Sequence, residues 1–347
     1  MSSGGSTGEP VSVFVDMERL AFVDAARIRA HRWFGVEIGD REVALWGSPI
    51  ELTKQDLARK VRDRLFNSRL LSAFDLGEAA LARYATILRR YRPDKIISYP
   101  SAIYLLACFL KRHGWIPEPG WPKAIFTTAE TLHDFQRRTI QTVFGCAVAD
   151  EYGCREGGMI ASDCPAGGFH INAESVLVEV DRLAHDKGIG GEVVMTNFRS
   201  FAMPVIRYRT GDMGELADQR CPCGRGLPLL RSLHGRRSDF LISSSGRVIH
   251  GQAAAYLIRE TAHIREAIRE FQVIQDSLDH LIVKVVPDGG FSAETGHAIV
   301  ARLALLFSDG HMAIDVEVVD IIERLPSGKH RDVVSKIADR YLENLLS

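Results

Sequence analysis

This sequence lacks an excess of either charge, a large stock of cysteines and any long apolar run. Lys and Arg number 43 against 44 Asp and Glu, a formal net charge of −1. A dedicated nucleic-acid binder usually shows a strongly basic domain or stripe, so the balance argues against one. Six cysteines in 347 residues are too few for a disulfide scaffold. The expectation is then a reducing, cytoplasmic setting, in which clustered cysteines are metal ligands sooner than disulfides. The longest unbroken apolar run, Ala102–Leu110, has nine residues. A membrane-spanning helix needs about 20, so the run reads as a buried helix and no membrane partner is expected. The first residues show neither the basic start nor the apolar stretch of a secretory signal.

What is present is 46% hydrophobic and 25% charged residues, the composition of an ordinary globular protein. At roughly 100–200 residues per domain, the length fits two domains, or one large domain with an appendage. Strands are expected at Val11–Val15, Lys95–Tyr99, Ala124–Thr127 and Ala147–Glu151. Helices are expected over Met17–Trp33, Lys54–Phe66, Leu76–Tyr91, Ala102–Lys111 and Leu132–Val143. Strand–helix alternation from Lys95 implies parallel strands with crossover helices, an α/β layer. From Glu174 the pattern turns strand-rich, as in Val176–Val180 and Glu192–Thr196. Beyond Arg236 it becomes an α+β unit, with strands at Phe240–Ile242, Glu270–Gln275, Leu281–Val286 and Ala313–Val319 and helices near Ala253–Thr261 and Ala293–Leu306. The expected fold is an α/β large domain with a strand-rich subdomain over residues 1–234, followed by a smaller α+β domain over 235–347.

Five segments carry chemistry. Ser3-Gly4-Gly5-Ser6-Thr7-Gly8 offers converging backbone N–H groups and hydroxyl donors, the makings of a phosphate cradle. Glu9 stands where a Walker loop requires lysine, and a Gly/Ser run is also what a linker looks like. Asp150-Glu151-Tyr152-Gly153-Cys154-Arg155-Glu156-Gly157-Gly158 puts carboxylates and a ring at the end of a strand, fit for a hydrated cation and a stacked base, or simply a solvated loop. In Ile206-Arg207-Tyr208-Arg209-Thr210-Gly211-Asp212, an Asp after a glycine can accept from a ribose diol beside arginines suited to phosphate; a salt-bridged surface hairpin is the plainer reading. Gly235-Arg236-Arg237-Ser238-Asp239-Phe240 sits at the expected boundary. Arg324-Leu325-Pro326-Ser327-Gly328-Lys329-His330-Arg331 presents one lysine on a basic turn.

The cysteines add a separate constellation. Cys164 and His170 flank a Gly167-Gly168 turn, and Cys221-Pro222-Cys223-Gly224 follows 57 residues after Cys164. Three thiolates and one imidazole would complete a tetrahedral structural Zn²⁺ site. The single residue between Cys221 and Cys223 is tighter than the usual two to four, and free thiols in two unrelated turns remain the other reading. Cys108 and Cys146 lie in apolar runs and read as core.

Taken in order, the five segments resemble the adenylate-forming superfamily of acyl-coenzyme A ligases, luciferases and peptide-synthetase adenylation domains. Tyr99-Pro100-Ser101, Cys221-Pro222-Cys223-Gly224-Arg225 and Pro326-Ser327-Gly328-Lys329-His330-Arg331 resemble its phenylacetate–coenzyme A ligase and capsule-biosynthesis-like branch. The resemblance implies activation of a carboxylic acid by Mg-ATP as an acyl-adenylate, with pyrophosphate released, and transfer to coenzyme A. Ser3, Gly5, Ser6, Thr7 and Gly8 would then hold the β- and γ-phosphates, and the Thr127–Glu130 stretch, with Glu130, would line the nucleotide pocket. Tyr152 would lie against adenine, Glu156 would bind Mg²⁺ and Asp212 would accept the ribose hydroxyls. Arg236 would face the nucleotide. Lys329, on a mobile lid domain that turns about the position of Ser238, would bridge the substrate carboxylate and the α-phosphate. The family's phosphate loop follows a sizeable N-terminal segment, whereas here it begins at residue 2, so the large domain is expected to be incomplete at its N-terminus. Transfer of AMP to another cofactor, or a non-catalytic nucleotide-binding remnant, are the alternatives this leaves.

Overall fold

The computed structural model describes residues 13–46, 63, 65–73, 76–116, 118, 120–182, 190–236, 240–246, 248–259, 261–307, 312–323, 330–338 and 340–341. The helix expected at Lys54–Phe66 falls almost wholly outside them. The strand expected at Val11–Val15 is not formed over 13–15, because this stretch delivers the chain to a helix cap. Asp16 accepts the backbone N–H of Arg19 at 2.8 Å and starts α1 (Met17–Arg32), the usual work of an N-cap aspartate.

The large sheet begins with β1 (Glu42–Trp46) and β2 (Ser68–Ser72), two strands that the residue pattern did not suggest. Each is five residues long, and β1 is defined by parallel pairing to β2 and to β3 (Lys95–Ser98), a long-range property with little local trace. α2 (Glu78–Tyr91) precedes β3, and α3 (Pro100–Arg112) follows it. Pro100 at the first turn needs no N–H partner and suits that position. β4 (Ala124–Thr128), α4 (Asp134–Phe144) and β5 (Ala147–Cys154) complete the parallel half. Leu88, Ile96, Ile103, Leu106, Ile125 and Ile140, all fully or almost fully buried, form its core.

From β5 the sheet turns antiparallel. β6 (Gly158–Asp163), β7 (Phe169–Ile171), β8 (Val176–Arg182), β9 (Gly191–Asn197), β10 (Val205–Ala217) and β11 (Leu229–Arg236) extend it to the order β2-β1-β3-β4-β5-β6-β7-β11-β10-β9-β8. The stretch around Gly211 is neither an end nor a free hairpin. β10 runs straight through it, with register shifts against β9 and Gly211 at φ 75°, the mark of a bulge where only glycine is unstrained.

The smaller domain begins with the β12 (Phe240–Ile242) and β13 (Val248–His250) ladder, then α5 (Gly251–Arg259) and α6 (Ala262–Ala267). β14 (Ile268–Ser277), β15 (His280–Pro287), α7 (Ala293–Ala304), β16 (Ala313–Val318) and β17 (Val333–Ser335) form a sheet ordered β16-β15-β14-β17. Its own core holds Ile258, Phe271, Val283 and Leu303. The architecture is therefore an α/β, sheet-rich large domain with a smaller C-terminal domain. Among the described residues, no helix is long and apolar enough to cross a membrane.

Candidate active site

In open α/β sheets, ligands bind outside the carboxyl ends of the parallel strands. Three of the segments singled out above arrive there: Tyr99-Pro100-Ser101 after β3, Ala129-Glu130 after β4, and Tyr152 near the end of β5. Glu130 follows Ala129, whose φ of 72° bends the chain sharply. Its Oε2 accepts the backbone N–H of Ser101 at 3.0 Å, capping the first turn of α3. Its Oε1 accepts the backbone N–H of His330, from the smaller domain, at 2.7 Å. The carboxylate expected to line a nucleotide pocket thus also ties two backbone amides together.

Tyr152 and Asp212, 60 residues apart, meet across the antiparallel half. The Tyr152 hydroxyl donates to Asp212 Oδ2 at 2.8 Å, and the Asp212 amide donates to Thr210 Oγ1 at 3.1 Å. Both side chains are buried. Burial, and then the charge of Asp212, push the Tyr152 phenol well above its usual value, so it stays protonated and donating. Asp212 pairs with Arg236 in the β10–β11 ladder; the Arg236 side chain lies outside the described residues, as do Ser3, Gly5, Ser6, Thr7, Gly8, Ser238 and Lys329. Glu156 is half-buried on the β5–β6 turn and lines a cavity of about 140 Å³ with Val13, Met203, Val205 and Tyr208. Burial pushes the thiol of Cys154, two residues before it, up to about 12, so it stays protonated at neutral pH.

One buried charge near Glu156 escaped the sequence reading. Arg19 on α1 is 2% exposed and donates to the Arg155 carbonyl and to Ser200 Oγ. Burial pulls its guanidinium below the usual value, and the charges of Cys154, Asp16 and Glu156 oppose that fall. It sits among ordinary polar residues on a helix face, so only the fold reveals it. His31 was missed in the same way: its Nε2 lies 2.9 Å from Glu151 Oε1 and its ring stacks on Phe126 at 3.7 Å. Phe126 and Tyr99 are packed into the core, Tyr99 against Trp46.

A second cluster lies apart from these groups. Cys164, His170, Cys221 and Cys223 each bring one ligand atom to within 4.8 Å of all the others.

Comparison with known proteins bears on the fold and the family likeness. Residues 241–336 match the CapK C-terminal domain. Protein CapK of Staphylococcus aureus is 27% identical over 97% of this chain and 74% of its own length. A phenylacetate-coenzyme A ligase of Thermus thermophilus is 27% identical over 63% of this chain; the match spans about half (51%) of that ligase. The solved structure of a 2-hydroxyisobutyryl-CoA ligase in the postadenylation state, in complex with R3-HIB-AMP, superposes with a TM-score of 0.70 at 19% identity, covering 100% of this chain and 76% of that one. In its thioesterification state the same ligase gives 0.54, at 18% identity over 99% and 75%. The chain is thus a relative of CapK and the phenylacetate–coenzyme A ligases, built on the fold of the adenylate-forming superfamily.

Proposed function

We propose that this chain activates a carboxylic acid with ATP and passes the acyl group to coenzyme A. The observation that carries this reading is the buried Tyr152–Asp212 pair, joined from β5 to β10, in a sheet where Glu130, after the neighbouring β4, receives the smaller domain. A tyrosine ring beside a buried carboxylate suits a nucleoside, base against ring and ribose diol against carboxylate. The relatives' names and the bound acyl-adenylate support the same chemistry.

In the first step, a substrate carboxylate oxygen attacks the α-phosphorus and the bond to the β-phosphate breaks, releasing pyrophosphate. In the second, the sulfur of coenzyme A attacks the acyl carbon, AMP leaves, and the thiol proton passes to solvent. Asp212 holds the ribose, Tyr152 orients Asp212 and covers the base, and Arg236 faces the nucleotide. Residues Ser3, Gly5, Ser6, Thr7 and Gly8 hold the distal phosphates. Lys329, next to the His330 amide that Glu130 binds, supplies fixed positive charge where two anions crowd together. The half-buried Glu156 carboxylate, one of the groups lining the cavity, would hold Mg²⁺, an ion bound through one or two protein carboxylates beside substrate phosphates. When bound, that ion neutralises phosphate charge. The higher superposition on the postadenylation state supports assigning the docked arrangement, with the smaller domain as lid on the large one, to that stage of the reaction.

Calorimetry of Mg-ATP binding tests this without a choice of acid. Saturable binding, weakened at least tenfold by Asp212→Ala, is expected; a folded chain that binds no nucleotide overturns the assignment. Pyrophosphate release across a panel of aliphatic and aromatic acids then identifies the substrate class.

A further inference from the structure

The four residues of the cysteine cluster come from two separate turns of the same build. Cys164-Pro165-Ala166-Gly167 ends β6, and Cys221-Pro222-Cys223-Gly224 joins β10 to β11. In each, the glycine N–H donates to the carbonyl of the first cysteine, Gly167 to Cys164 at 2.9 Å and Gly224 to Cys221 at 3.2 Å. Each glycine has a positive φ, 80° and 78°, so each turn needs glycine at its fourth position. Two copies of one Cys-Pro-x-Gly turn therefore face each other, with His170 on β7 between them.

Their spacing is that of ligands around an ion. Cys164 Sγ and Cys221 Sγ are 3.7 Å apart. A disulfide would require about 2.05 Å, whereas a tetrahedral ion with Zn–S bonds of about 2.3 Å sets S···S edges of about 3.8 Å. His170 Nε2 lies 3.2 Å from Cys223 Sγ, near the roughly 3.5 Å of an S···N edge on the same tetrahedron. His170 is fully buried, and Cys164 and Cys221 nearly so. The Arg225 amide donates to Cys223 Sγ at 3.5 Å, a bond that favours a thiolate. A side chain at Gly168 would strike Cys221 Sγ at 2.5 Å, so the hairpin closes on the cluster only because that position is bare. The Trp33 ring stands edge-on to His170 at 5.4 Å and carries the Arg225 guanidinium on its face at 4.5 Å, shielding the cluster.

We propose that Cys164, His170, Cys221 and Cys223 bind one Zn²⁺ in a closed tetrahedral site that fastens the seam of the large sheet. Four protein ligands leave no open position, so the site is structural. Its place explains why a fastener is needed. β7 has three residues and meets β11 through two ladder positions, Phe169 with Leu230 and His170 with Leu229. That is the narrowest pairing in the sheet, and β5 with Tyr152 lies on one side of it while β10 with Asp212 lies on the other. The metal would join the β6–β7 turn to the β10–β11 connection across this seam. The metal site does not rest on the function proposed above.

Elemental analysis of the purified full chain tests the metal directly. About one zinc per chain is expected, with release on mercurial titration that tracks modification of Cys164, Cys221 and Cys223. Cobalt-substituted protein should show the intense visible bands of a tetrahedral thiolate site. Cys223→Ser should lose most of the metal, and stripping zinc from the unmodified chain should lower its melting temperature. Readily titrated free thiols with no bound metal, or a Cys164–Cys221 disulfide in the freshly purified protein, would overturn the proposal. Each readout is independent of ATP, so a chain that holds zinc but binds no nucleotide separates failure of the function from failure of the site.

Discussion

Glu130 and His330, 200 residues apart, are joined by a 2.7 Å hydrogen bond from the His330 backbone N–H to Glu130 Oε1. The same carboxylate caps α3 through Ser101. His330, the residue after Lys329, is thereby held at the carboxyl end of β4; under the proposed function Glu130 would act as a positioning group for the lysine. Nearby, Asp332 meets Arg259 at 3.1 Å and His133 at 3.5 Å. Burial alone would raise the Asp332 carboxyl, but Arg259, His330 and His133 hold it well below the usual range. Arg259 in turn lies over the rings of Tyr104, Phe135 and Phe271.

Glu130→Gln keeps the shape and removes the charge. A hydrogen bond to a charged group is worth about 1.5–3 kcal/mol, so acid-dependent pyrophosphate exchange should fall about 10–100-fold. Reaction of supplied acyl-adenylate with coenzyme A should fall far less. Equal loss in both half-reactions would place Glu130 outside the docking role.

Lys329→Ala should lower adenylation about 100–1000-fold, the usual cost of one transition-state donor, with ATP binding retained. If Glu130 acts by placing Lys329, the two changes will not add: Glu130→Gln in the Lys329→Ala background should cost little more. Full additivity would show that the two act separately.

Tyr152→Phe removes one hydroxyl and keeps the ring. Loss of the bond to Asp212 should weaken ATP binding up to about tenfold, near the 0.5–1.5 kcal/mol of a typical hydrogen bond. Asp212→Ala should weaken it more. A phenylalanine variant with unchanged affinity would mean that the hydroxyl does not orient Asp212.

Asp150 predicts a pH effect. Burial, and then the charge of Asp163, raise its carboxyl to about 7, although Thr127 donates to it at 2.8 Å. The unfolded chain releases that proton near pH 4. Between about pH 4 and 7 the folded state therefore holds a proton that the unfolded state has lost, and stability falls as pH rises. Asp150→Asn should flatten that decline in melting temperature; parallel curves for the two proteins would rule the assignment out.

The sequence by itself determined the parts that local chemistry controls. Alternation marked β3, β4 and β5 and their crossover helices, and the ordered segments around Tyr152, Asp212 and Lys329 carried the likeness to adenylate-forming enzymes. Side-chain type and spacing are enough for this, because strand period, glycine turns and charged motifs are written in consecutive residues. Only the tertiary structure decided what meets what. It inserted β1 and β2 by parallel pairing, ran β10 through Gly211, buried Arg19 and His31, and turned Glu130 toward the smaller domain. It also brought Cys164 and His170 to Cys221 and Cys223. Each of these contacts joins residues distant in the chain, and pairing, burial and desolvation at such a distance leave no local periodicity to read.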